Sequence, residues 1–215
     1  MIRKKGNILK YHNAFTTVFV LFALVSSVPA DAEDSADWFP LAVGNSWLYE
    51  MESFSFADND TTFNTGTRLC EITDLLTHEA GFPIYEMRTI RASDAAESSA
   101  DTTFDYLRNT ATELRGYTST SLDMYDVWIS FGMMNSEMAM LMETSAPMGI
   151  RLEPLVVLPA GDFSNCSVIV YPAGYNGSGT YDSYFHRGTG LIKTVYSVES
   201  YHMAESLIDS NIQQR

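Results

Sequence analysis

Short runs of alternating apolar and polar residues, broken by glycines and polar turns, recur through most of the chain and predict strands rather than helices. Residues 46–56 (SWLYEMESFSF) are aromatic and largely alternating. A polar turn over 58–66 follows, then strands over 67–75 and, past Gly81, over 82–90. The small polar stretch 92–101 (ASDAAESSAD) has neither period and reads as a loop, after which 103–107 and 112–118 pair as a hairpin. Residues 122–131 place Tyr125, Val127, Ile129 and Phe131 on one strand face. The last third reads as strands over 163–171, 181–186, 191–197 and 201–209, with the glycine-rich connector 172–180 (PAGYNGSGT) between the first two. For 136–144 the pattern leaves two readings open. Met138, Met140 and Met142 alternate as in a strand, yet Met, Ala, Leu and Glu are good helix formers. Strands this closely spaced leave no room for crossover helices. The expected fold is mainly β: one domain built on a curved antiparallel sheet, an open or half barrel with meander connections and little helix.

The first 32 residues stand apart from that pattern. A basic start (Arg3, Lys4, Lys5, Lys10), an apolar run over 14–28 and small residues before the first acids have the layout of a secretory signal peptide. The Ala30-Asp31-Ala32 register predicts a mature chain starting at Glu33, and Val28-Pro29-Ala30 is the other register that fits. The 15-residue run would make roughly 22 Å of helix, short of the ~30 Å hydrocarbon core. No later segment has the length and apolarity of a spanning helix, and no Cys lies near the cleavage region to carry a lipid. The expectation is an exported chain, periplasmic or extracellular, with residues 33–215 as its β domain and no integral membrane segment once the leader is removed.

Charge narrows the partners. The chain carries a formal net charge of −14, and losing the basic leader makes the remainder more acidic still. Nucleic-acid binding rests on Lys and Arg neutralising phosphates, so the field has the wrong sign. The same sign opposes docking on anionic headgroups. Two cysteines, Cys70 and Cys166, fall in the domain. An oxidising compartment permits a disulfide between them, and two buried thiols are the alternative.

The stretch Phe39-Pro40-Leu41-Ala42-Val43-Gly44-Asn45-Ser46-Trp47-Leu48-Tyr49 resembles the opening of a group of exported bacterial β-rich proteins of uncharacterised function, in which FPL-x-VGN-x-W-x-Y follows the signal peptide. Leu158-Pro159, Gly161-Asp162-Phe163, Asn165-Cys166, Tyr184-Phe185 and Gly188-Thr189-Gly190-Leu191-Ile192-Lys193 match as well. The proline-leucine step before the second glycine is only partly kept, as 153–159 (EPLVVLP). The resemblance implies an exported β domain and brings no catalytic residue, cofactor or fixed ligand with it. These anchors also have a plain physical use: Gly44-Asn45 and Gly188-Thr189-Gly190 are turn chemistry, and Trp47 and Tyr49 share one strand face.

Catalytic signatures are absent: the chain has no Gly-x-Ser-x-Gly elbow, no His-Glu-x-x-His and no Cys-x-x-Cys. Several weaker candidates are worth naming. His78, His186 and His202 would have to converge to hold zinc. Asp58-Asn59-Asp60 offers oxygens for calcium but lacks an EF-hand's glycine and terminal Glu. The Gly174–Gly179 stretch leads into a strand rather than a helix N-terminus, a poor phosphate cradle. Met133, Met134, Met138, Met140, Met142 and Met148 are soft ligands for Cu(I), or else core filler or an apolar binding surface. The reading that follows is a non-catalytic exported β domain binding an apolar or amphiphilic molecule or an envelope component. Its rivals are an enzyme with a dispersed site, for instance His186, Arg187 and an acid, and a methionine-rich copper protein.

Overall fold

Eleven strands make up nearly all of the described backbone in a computed structural model, which describes residues 38–57, 60–94, 100–110, 113–121, 124–130, 149–173 and 179–213. The described residues fall in one compact unit, Asp34–Arg215. The strands are β1 (Ser46–Ala57), β2 (Asp60–Thr77), β3 (Pro83–Ser93), β4 (Asp101–Asn109), β5 (Glu113–Tyr117), β6 (Tyr125–Ser130), β7 (Gly149–Leu158), β8 (Gly161–Ala173), β9 (Gly179–His186), β10 (Gly190–Val198) and β11 (Tyr201–Asn211). They form one antiparallel sheet in the order β6-β5-β4-β3-β2-β1-β11-β10-β9-β8-β7. Two meanders thus meet where the first strand pairs with the last, from Ser46↔Asn211 to Ser55↔Tyr201. The sheet is open, with β6 and β7 as its edges.

Curvature follows from the contacts. In a flat sheet nine strand spacings of ~4.8 Å would hold β6 and β8 roughly 43 Å apart. Instead Ile129 of β6 and Tyr171 of β8 line the same cleft, so the sheet curls into a half barrel. Register shifts mark where strands bend: at Leu48/Tyr49, Ile72/Asp74, Leu114/Arg115 and Leu191/Lys193 one strand carries an extra residue. Such bulges kink a strand and raise its twist. Every strand contributes to one apolar cluster, including Trp47, Ile72, Met87, Leu107, Leu114, Ile129, Val156, Ile169, Phe185, Ile192 and Leu207. Trp38, Phe39 and Leu41, from the segment before β1, join it at one end of the trough. Asn109 Nδ2 of β4 fastens that segment by donating to the Phe39 carbonyl at 2.8 Å.

The mainly antiparallel, curved and open sheet agrees with the alternation of the sequence, and the structure adds particulars that alternation does not carry. β2 begins at Asp60, within the polar stretch read as a turn, because Thr61, Thr62 and Thr65 suit an exposed strand despite their polarity. Ala92 and Ser93 complete β3 rather than opening a loop. β7 is a strand that the sequence hid. Arg151, Glu153 and Pro154 interrupt its pattern, and proline is tolerated there because the strand is an edge. Opposite Pro154, Asn165 takes a left-handed φ of 55°, a conformation asparagine accepts more readily than most residues. The predicted leader, 1–32, and the ambiguous segment 136–144 lie outside the described residues.

Candidate functional site: a cleft on the concave face

The two glycine-bearing anchors of the sequence meet at the floor of the trough. Trp47 is fully buried and stacks on Phe39 at 5.1 Å between ring centroids. Its Nε1–H donates to the Thr189 carbonyl at 2.6 Å, and the Tyr49 hydroxyl donates to the Leu191 carbonyl at 2.8 Å. Burial pushes the Tyr49 pKa well above its ordinary value, so the hydroxyl keeps the proton it donates. Gly190, at φ 94°, packs against Phe39, Pro40 and Trp47. Asn45 closes the same end: its Nδ2 donates to the Pro40 carbonyl and its Oδ1 accepts from the Gln213 backbone N–H, each at 2.8 Å. These residues are a structural clasp between the start and the end of the domain.

Above that floor opens a cleft of about 380 Å³. Phe39, Trp47, Tyr49, Met87, Leu114, Ile129 and Phe185 supply most of its apolar wall. Trp128, the extra residue of the β6 bulge, lies over Gly116 where any Cβ would collide with its indole, and it forms part of the rim. Tyr171, Tyr181, Tyr196 and Tyr201 follow one another across β8 to β11 with ring centroids 5.9–6.5 Å apart. Tyr171 and Tyr181 line this cleft, while Tyr201 lines a second one of about 310 Å³ beside Met51, Arg91 and Met203.

Among the described residues one charged side chain stands in the wall of the larger cleft, that of Arg68. It forms an ion pair with Glu205 across the intervening strand β1, with both side chains largely buried. Thr194 Oγ1 donates to the same Glu205 carboxylate at 3.1 Å. The Arg68 guanidinium also lies over the Tyr49 ring, 4.5 Å from its centroid. Its Nη2 is the atom that meets the Glu205 carboxylate, whereas its Nε makes no hydrogen bond within the described protein. Nothing in the local sequence flags this pair. Arg68 and Glu205 are far apart in the chain and meet only because β1 pairs with both β2 and β11.

The residues singled out from sequence are dispersed. His78 stacks on Phe82 at 4.4 Å and its Nδ1 accepts from the Ala80 N–H. His202 stacks on Phe54, and His186 sits by Thr189 Oγ1 at 2.9 Å and the edge of Phe163. Among the described residues no group of His, Cys, Asp and Glu is placed to hold a metal ion. Asp60 caps the adjacent Thr61 N–H. Asp58, Asn59, the glycine-rich 174–178 and the methionines from Met133 to Met148 lie outside the described residues.

Burial lowers the His186 pKa below the ordinary value of 6.5. A His whose folded pKa is depressed stabilises the fold above its unfolded pKa, and that contribution is lost as pH falls through the lower folded value. Melting temperature is therefore expected to fall as the pH drops below about 6.5, the ordinary His value, with a smaller fall in His186→Asn.

Cys70 and Cys166 are both free and buried. Cys70 lies 3.7 Å from Thr89 Oγ1, and the Cys166 thiol donates to the Phe163 carbonyl. Burial raises both pKa values, that of Cys166 to about 11. Because the thiolate is the reactive form, iodoacetamide at neutral pH is expected to leave both thiols unmodified in the folded protein and to label both after denaturation. Rapid labelling of the native protein would contradict this.

No protein-family model matches the sequence, and no curated protein is found as a relative. Solved structures similar to the chain include a Bacteroides fragilis protein of YmcC-like fold, named as exported, at 11% identity and a TM-score of 0.48 over 81% of this chain and 98% of that one. A Parabacteroides distasonis protein named as a lipoprotein gives 10% identity and a TM-score of 0.47 over 80% and 97%. The Mycobacterium tuberculosis lipoprotein LppX gives 7% and 0.34 over 80% and 89%. No residue role is carried over from them.

Proposed function

We propose that the protein is an exported, non-catalytic binding module whose concave cleft takes an apolar or amphiphilic molecule. The observation that carries this reading is the cleft itself. It has the size of small-molecule sites, which run from about 300 to 1,000 Å³ and are mostly apolar with a few placed polar groups. Its wall is aromatic and aliphatic from both halves of the sheet, with Arg68 as the one charged member among the described residues. In this wall the charge of Arg68 is matched by Glu205. Export rests on the tripartite leader.

Titration with Nile red, an uncharged apolar dye, tests the reading. The protein is expected to bind it with a blue-shifted emission. Trp128→Ala, at a rim residue 37% exposed, is expected to weaken binding about tenfold, as loss of an aromatic anchor does, with little change in melting temperature. Absence of dye binding by the wild type would overturn the reading.

A further inference from the structure

The Arg68–Glu205 pair restricts what kind of amphiphile the cleft accepts, an inference that rests on the binding reading above. Placing a charge in the wall of an apolar cleft, with its counter-charge largely buried beside it, is expensive. A buried ion pair seldom stabilises a fold more than apolar residues of the same volume would. Among the described residues Arg68 is nevertheless the only charged one in that wall, and its Nε–H has no acceptor in the described protein. Buried donors without partners are uncommon, and an oxygen atom on a ligand would satisfy this one. A carboxylate or phosphate head would ordinarily suit an arginine. Here the charge of Arg68 is already matched: Glu205 lies against it, held by Thr194, and the Tyr49 ring covers the guanidinium. A second anion brought to this point would meet the Glu205 carboxylate in a setting of low dielectric, where like charges repel strongly. An uncharged carbonyl or hydroxyl oxygen would accept the hydrogen bond without that repulsion.

We propose that the ligand is an uncharged, oxygen-bearing lipid of the acylglycerol type, its ester or hydroxyl oxygen docked on Arg68, and that Glu205 excludes the corresponding free acyl carboxylates. The tail lies against Trp47, Met87, Leu114 and Phe185. Glu205 is here a specificity-determining residue that acts through Arg68.

Displacement of Nile red by monoolein and by oleate, at about pH 8 where the free acid is ionised, tests the assignment. Both compounds carry the same hydrocarbon tail, so their ratio isolates the head. Wild type is expected to favour monoolein over oleate by roughly tenfold, the size of one charge-assisted interaction. Glu205→Gln keeps the side chain's shape and an oxygen for Thr194 while freeing the charge of Arg68. It is expected to narrow that ratio at least tenfold or to invert it toward oleate. Equal affinities in the wild type, or a wild-type preference for oleate, would overturn the proposal without any variant having to fold. A Glu205→Gln protein that melts normally and keeps the wild-type ratio would overturn it as well. Nile red binding with no displacement by monoolein would remove the lipid class and leave the cleft, whereas failure to bind the dye at all would remove the binding reading beneath it.

Discussion

Trp47→Ala is expected to remove about 3–5 kcal/mol of folding stability, the range for deleting a large buried aromatic, measured by urea denaturation. Total stability of a domain is only about 5–15 kcal/mol, so a large share of the molecules would be unfolded at physiological temperature. Three losses combine at this one position. The indole is fully buried, it stacks on Phe39, and its N–H serves the Thr189 carbonyl from a strand that is distant in sequence. Trp47→Phe separates them. It keeps most of the ring contact and drops the hydrogen bond, so it is expected to cost about 1–3 kcal/mol, the penalty for one buried unsatisfied acceptor. Equal losses in the two variants would show that the bond to Thr189, and not the packing, holds the floor of the trough together.

The second large effect concerns the pair formed by Arg68 of the cleft wall and Glu205. Glu205→Leu leaves Arg68 charged and largely buried with no counter-ion, and it strips Thr194 of its acceptor. Breaking a buried pair from one side typically destabilises by about 3–5 kcal/mol. Arg68→Met combined with Glu205→Leu removes both charges. That double variant is expected to recover most of the loss, because an apolar pair of similar volume is often as stable as the ions it replaces. A double variant as unstable as Glu205→Leu alone would mean that the pair is structural in its own right. Recovery of stability together with altered lipid preference would place its use at the ligand.

Much of the architecture was legible in the residue pattern, for a local reason. A two-residue period with glycine and polar punctuation records which backbone segments extend and which face of each is buried, and this sufficed for ten of the eleven strands. β7 escaped because its edge position relaxes the pattern, allowing Pro154 and two charges within ten residues. The extent of β2 escaped because Thr61 to Thr65 are polar yet well suited to an exposed strand. Pairing was harder to read than strand existence. Nothing near Ser46 signals that it will lie beside Asn211, since register between distant strands is set by the assembled face and not by either strand alone. The candidate site depends on that pairing. Tyr49 and Trp47 could be placed on one face from their spacing, whereas Arg68 and Glu205 each look like an ordinary surface charge in a strand. Their meeting across β1, and the indole of Trp128 seated on Gly116 through a bulge, are products of register.

The pairing of the first strand with the last has a consequence for how the molecule is made. β1 to β6 can form by successive local hairpins, and so can β7 to β11, each closing only short loops. Joining β1 to β11 closes a loop of most of the domain, and loop-closure entropy makes such a step late and slow compared with hairpin formation. Until then β1 is an open edge carrying Trp47 and Tyr49, the kind of unpaired apolar strand on which chains aggregate. Because β11 follows all the other described strands in chain order and pairs with β1, the centre of the sheet is completed last. Removal of β11 therefore splits the sheet down its middle instead of trimming it at a margin.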